Sequence, residues 1–256
     1  MDDTYQTYVN RVARLTLPDT YQEQLPHLQP SPKFQQGQPQ PFPGFSVLTP
    51  PAAEDSLNGE LYEGLAQIQR EIRELFSGWF HPVPPESFHL TLADLVWDAQ
   101  YRSAAAENPN FETDLKRCIQ ASFEQYRPSW SPEGTAQWQN LGLLVFPRAL
   151  AVALVPCQES DYDPICQLRR LIYQNSQLIG LGIEQQYYFT AHITLGYFGD
   201  IPEALPLEEI CQQLGRWNER WLGKPPQILH ITEAQLRYFA DMTHFERQPD
   251  YPVLKF

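Results

Sequence analysis

Two spacings of apolar residues alternate along this chain. In "SLNGELYEGLAQIQREIRELFSG" the residues Leu57, Leu61, Leu65, Ile68, Ile72 and Leu75 recur every three or four positions. That spacing predicts a helix, with Ser56 able to cap its start and Gly78 just past its end. The same spacing predicts helices over residues 3–15, 112–126, 162–179 and 207–221. Shorter stretches with apolar residues at every second position predict strands over 45–49, 88–97, 137–146, 149–155, 188–199, 227–239 and 245–251. Between the third and fourth of these, "PRAL" suits a tight reversal.

Proline interrupts the pattern early. Nine of the 24 prolines fall within the first 51 residues. Through "LPDTYQEQLPHLQPSPKFQQGQPQPFPG" no regular element is expected. An extended segment wrapping the domain is, anchored by Tyr21, Phe34 and Phe42. The chain therefore divides into residues 1–44, an N-terminal helix and wrapping segment, and residues 45–256, a single domain. Closely spaced strands mixed with helices fit an α+β fold with antiparallel sheets better than a doubly wound one.

Composition narrows the class. The chain has 256 residues, 42% of them hydrophobic, enough for a sizeable core. Its formal net charge is -13, which disfavours a long nucleic acid but leaves room for a small anion in a local pocket. "MDDTYQTYVN" lacks the basic start and apolar centre of a signal peptide, and the apolar run "ALAVALV" is too short to span a bilayer. Cys118, Cys157, Cys166 and Cys211 are scattered without zinc-ligand spacing. The expectation is a cytoplasmic protein with reduced thiols, no membrane contact and no metal or other cofactor.

The candidate chemistry sits on two strands. In "SFHLTLADL", alternation puts Phe88, Leu90 and Leu92 on one face and His89, Thr91 and Ala93 on the other. In "YFTAHITLGYFG", Phe189, Ala191, Ile193, Leu195 and Tyr197 share the apolar face, and Thr190, His192, Thr194 and Gly196 share the other. Ala93 and Gly196 are small enough to leave room for a ligand. Asp94 falls on the face opposite His89. Composition alone predicts about half of one His-x-Ser/Thr match. A third triplet, His230 to Thr232, lies on a mostly apolar face and reads as structural. Each half of the chain thus has a helix followed by a strand bearing His-x-Thr, as two similar lobes would. Two imidazoles can serve as base and acid near neutral pH, and two hydroxyls can donate to phosphate oxygens held between them. That is the equipment for opening a cyclic phosphodiester.

"FHLTL" and "AHITL" closely resemble the paired motifs of the 2H phosphoesterase superfamily. "KFQQGQPQPFPGFSVLT" and "PVPPESFHLTL" further resemble a branch of it described as a domain of unknown function. The resemblance spans roughly residues 33–250. It implies a bilobal α+β fold, two antiparallel sheets facing a central cleft with helices outside. It implies metal-independent action on 2′,3′-cyclic phosphates, 2′-5′ linkages or related nucleotide phosphodiesters. Carried over by position, His89 and His192 are the acid–base pair, with the order open, and Thr91 and Thr194 bind phosphate. RNA-end processing or 2′-5′ ligation, and nucleotide sensing without turnover, are the alternative functions. The expected partner is a small nucleotide or short oligonucleotide, and the expected state a monomer. Tyr188, Trp97 and Phe198 are candidates for stacking on a base, Lys33 and Arg148 for meeting a phosphate, and Thr190 for bordering the pocket.

Overall fold

A computed structural model describes residues 3–127 and 135–256. The chain begins with helices α1 (Tyr5–Leu15) and α2 (Pro18–Gln24) and the short pair β1 (Phe34–Gln35) and β2 (Gln38–Pro39). Strand β3 (Gly44–Leu48), helix α3 (Gly59–Leu75) and strands β4 (Phe80–Pro82) and β5 (Thr91–Trp97) follow. Next come α4 (Asp98–Glu107), α5 (Phe111–Gln125), β6 (Ala136–Phe146), β7 (Ala149–Pro156), α6 (Glu159–Tyr173) and α7 (Ser176–Gly180). The last elements are β8 (His192–Phe198), α8 (Leu207–Leu222), β9 (Ile228–Ile231), β10 (Glu233–Phe239) and β11 (Val253–Lys255).

The fold is α+β with antiparallel sheets. One sheet has the order β11-β10-β3-β5 and the other β4-β8-β7-β6-β9. Every pairing in both is antiparallel. The lobes are not consecutive halves of the sequence. Strand β4 pairs with β8, although only eight residues separate it from β5. The predicted strand over 227–239 divides at Thr232, so β9 joins one sheet and β10 the other. Central strands β3 and β7 are buried almost throughout, as continuous apolar runs between two neighbours should be.

Four expectations are corrected. The Pro-rich segment contains helix α2, with Pro18 at its first position, where a missing N–H breaks no helical bond. Helix α4 escaped the pattern because none of its residues is buried, so it has no apolar stripe to read. The helix predicted over 162–179 breaks after Tyr173, where the Asn175 side chain caps α7 by accepting from the Gln177 N–H. Residues 245–251 form no strand beyond a bridge between Glu246 and Tyr238; the sheet edge is β11, paired with Glu233–Gln235.

The N-terminal residues are built into the core. The Tyr8 hydroxyl donates to Leu154 O (2.9 Å) and accepts from the Ala191 N–H (3.0 Å). Arg11 donates to Thr190 Oγ1 (2.8 Å) and Phe189 O (2.6 Å). Helix α1 therefore fixes the chain just ahead of β8. Among the described residues no helix is long and apolar enough to cross a membrane.

Candidate active site

Strands β5 and β8 share a departure from regular pairing. In β5, Thr91 pairs with Leu48 and Ala93 with Val47, so Leu92 has no opposite number. In β8, Thr194 pairs with Ala151 and Gly196 with Leu150, so Leu195 has none. Each bulge sits one residue after the Thr of a His-x-Thr triplet. An extra residue reverses the alternation beyond it. Asp94, opposite Ser46, therefore joins the face of Thr91, and a second skipped residue, Leu95, keeps Trp97 there too. Tyr197 likewise joins the face of Thr194. Asp94 and Tyr197 occupy the same position, five residues after His89 and His192.

Two sequence expectations change as a result. Asp94 and Tyr197, assigned to the faces away from the histidines, line the same cavity as they do. Ala93 and Gly196 turn into the core instead of leaving space for a ligand. A Cβ on Gly196 would lie 2.5 Å from the Phe80 ring and 2.6 Å from His81 O, so glycine is what lets β4 pair there.

The skipped leucines' carbonyls are satisfied from outside the ladder. The Leu195 carbonyl accepts from the buried Gln69 side chain (2.7 Å), which also donates to Val83 O (2.8 Å), and from the Val83 N–H (3.1 Å). The Leu92 carbonyl accepts from the buried Arg169 guanidinium, which stacks 4.3 Å over the Phe189 ring. An unsatisfied buried carbonyl would disfavour each bulge, so Gln69 and Arg169 hold the geometry that opens the cavity.

The cavity, of about 250 Å³, lies between the sheets. His89, Thr91, His192 and Thr194 all line it, with Lys33 and Trp97. The histidines are held alike. His89 Nδ1 lies 2.7 Å from Ser87 O, and His192 Nδ1 lies 2.6 Å from Thr190 O. A carbonyl can only accept, so each Nδ1 carries the proton and each neutral ring has its lone pair on Nε2. Each ring also packs on a phenylalanine, His89 on Phe245 (4.1 Å between centroids) and His192 on Phe146 (4.9 Å). Burial pushes His89 down to about 4, against the pull of the Ser87 carbonyl and of Asp94, with the charges of His192 and Arg237 adding to the drop. Burial also lowers His192; the Thr190 carbonyl and Asp94 oppose that, and Lys33 adds to it.

Lys33 stands at one flank. Its ammonium is 3.4 Å from the Tyr197 hydroxyl and 4.9 Å from the ring centroids of both Phe42 and Tyr197. At the other flank the Tyr187 hydroxyl donates to Asp94 Oδ2, and the Tyr173 hydroxyl donates to Asp94 O (2.8 Å). Arg237 in β10, itself buried, is clamped by both oxygens of Glu54 (2.8 and 2.6 Å) and donates to Phe245 O (2.9 Å). It thus holds the loop whose ring covers His89.

The remaining candidates lie elsewhere. Phe198 is fully buried among Phe76, Trp79 and Phe80. Arg148 is exposed at the β6–β7 turn and bonds Gln29 (3.1 Å). Tyr188 points outward beside Arg11, and the Thr190 hydroxyl accepts from Arg11 rather than facing the cavity. The His230 ring lies 3.1 Å from the Thr135 hydroxyl, outside this cavity. Among the described residues no group of three or more His, Cys, Asp or Glu side chains is arranged to hold a metal ion.

No family model matches the sequence, and no curated protein does. Solved structures do. A conserved protein of unknown function, ATU0111 from Agrobacterium tumefaciens, superposes with a TM-score of 0.62 at 16% identity, over 89% of this chain and 96% of that one. E. coli LigT complexed with 3′-AMP gives a TM-score of 0.43 at 19% identity, over 84% and 97%. TT0787 of Thermus thermophilus gives 0.41 at 18%, over 82% and 94%. At these identities the likeness concerns the fold alone.

Proposed function

We propose that the chain is a metal-independent cyclic phosphodiesterase acting on a nucleoside 2′,3′-cyclic phosphate or a related small nucleotide phosphodiester. The observation that carries this reading is the matched pair of histidines. Each is fixed through Nδ1 to the carbonyl two residues before it, and each leaves Nε2 to the cavity they share with two threonines. The two His-x-Thr motifs of the 2H phosphoesterase superfamily support the same assignment.

One histidine is the base, in its neutral form. The other is the acid and takes up a second proton, on Nε2, as the anionic phosphate binds beside it; Asp94 favours the charged form of either ring. A water gives its proton to Nε2 of the neutral ring as its oxygen attacks phosphorus. The P–O bond to one ribose oxygen breaks, and that oxygen takes the proton from Nε2 of the charged ring. The Thr91 and Thr194 hydroxyls donate to the non-bridging oxygens, whose charge grows in the transition state. Lys33 adds a positive field. The product is a nucleoside 2′- or 3′-monophosphate. A net charge of -13 favours small nucleotides over long RNA.

The test is hydrolysis of the four nucleoside 2′,3′-cyclic phosphates in the presence of EDTA. Wild type should give one product isomer, and His89→Ala and His192→Ala should each lose at least about a thousandfold in kcat/KM while staying folded. Absence of turnover on all four, or turnover unaffected by either substitution, contradicts the reading.

A further inference from the structure

The cavity is not symmetric in charge. The two bulges bring one residue from each lobe to equivalent positions beside the threonines, and those residues differ: Asp94 and Tyr197. Lys33 puts an ammonium beside Tyr197. Among the described residues no lysine or arginine pairs with Asp94. Its Oδ2 accepts from the neutral Tyr187 phenol, and among the described residues it forms no ion pair. Arg169, which supports the same bulge, directs its guanidinium at Leu92 O and the Phe189 and Tyr173 rings. A carboxylate thus stands on the same strand face as Thr91, one step along it, in a cavity that also holds Lys33, two imidazoles and two threonine hydroxyls. It can only accept hydrogen bonds, and it repels negative charge.

We propose that Asp94 is the specificity-determining residue of this cavity. It accepts O–H or N–H donors from the nucleoside side of the ligand and excludes a second anionic group from that side. The inference rests on reading the cavity as a nucleotide phosphate site. It deepens that reading to a ligand class: a nucleotide with its reacting phosphate between the histidines and an uncharged, donor-bearing sugar or base beyond Thr91. Ser46, which pairs with Asp94 in register and also lines the cavity, adds a hydroxyl to the same flank. Trp97, next along the face, gives the base a surface to lie on.

The test compares binding of adenosine 3′-monophosphate and adenosine 3′,5′-bisphosphate by calorimetry, independent of turnover. Wild type should bind the monophosphate about tenfold more tightly or better, since like charges brought together in a cleft are strongly disfavoured. Asp94→Asn, the same shape without the charge, should shrink that ratio at least about fivefold, chiefly by gaining affinity for the bisphosphate. Asp94→Ser serves the same purpose if the asparagine variant does not fold. Asp163→Asn, an exposed neutralisation on α6, should leave the ratio alone and so separates the local effect from net charge. The proposal is overturned by an unchanged ratio in the Asp94 variants, by a wild type that prefers the bisphosphate, or by a wild type that binds neither. Cyclic phosphate hydrolysis in the same preparations keeps the two readings apart. A shifted ratio without turnover removes the hydrolase and leaves the filter. Turnover with an unshifted ratio does the reverse.

Discussion

In one lobe His89, just ahead of β5, and Thr91, Asp94 and Trp97 on it line the cavity; in the other, His192, Thr194 and Tyr197 of β8 do. The first three positions of the two strands correspond, and so do the bulge, the Nδ1 anchor and the phenylalanine packed on each ring. The supports do not correspond. In one lobe an arginine from α6 fills the bulge carbonyl; in the other a glutamine from α3 does. What the two strands share is what the proposed acid–base chemistry at one phosphate requires. What they do not share, Asp94 against Tyr197 with Lys33, is where the proposed choice of ligand is placed.

The largest effects on this comparison should come from the hydroxyls. Thr91→Val and Thr194→Val keep the shape and remove one donor each. Each is expected to lower kcat/KM about a hundredfold, with most of the loss in kcat, because the donor matters most as charge develops on the phosphate oxygens. Steady-state kinetics on a 2′,3′-cyclic nucleotide would show the split. A loss confined to one threonine would break the correspondence between the lobes.

A smaller effect should follow from loosening one support. Gln69→Leu removes both hydrogen bonds that the side chain makes, to Val83 O and Leu195 O. The expected loss is about 1–3 kcal/mol of stability in urea denaturation, since buried carbonyls lose a donor. Unchanged stability would mean that the β8 bulge holds its shape without Gln69. The smallest effects belong to residues outside the cavity. His230→Ala and Arg148→Ala should stay within about twofold of wild-type kcat/KM, and a large loss in either would mean the site extends beyond the two strands.

Much of this was legible in the sequence, for a physical reason. His89, Thr91, His192 and Thr194 precede the bulges, so simple alternation assigns them correctly to one face. Asp94 and Tyr197 follow the bulges, and nothing in "HLTLAD" or "HITLGY" marks the skipped leucine. Aligning the two segments on their histidines does pair Asp94 with Tyr197, and that was the available signal. Tyr8, Arg11, Gln69 and Arg169 act through contacts between distant elements, which no local pattern carries. The α+β class followed from strand and helix spacing. The exchange of β4 and β10 between lobes did not, because pairing partners are set by tertiary packing.

Two imidazoles each keep Nδ1–H and offer a bare Nε2 to one cavity. Two-dimensional ¹⁵N–¹H NMR of histidine-labelled protein, titrated from pH 7.5 downward, reads that directly. The expected result at pH 7 is the Nδ1–H tautomer, neutral, at both His89 and His192. Both should titrate below the ordinary value of 6.5, His89 near 4. With both values depressed, the stability their neutral burial provides is fully present above about pH 6.5. It is lost as pH falls through the folded-state values. The contradicting result is either ring carrying its only proton on Nε2, or already charged, at pH 7 in the ligand-free protein.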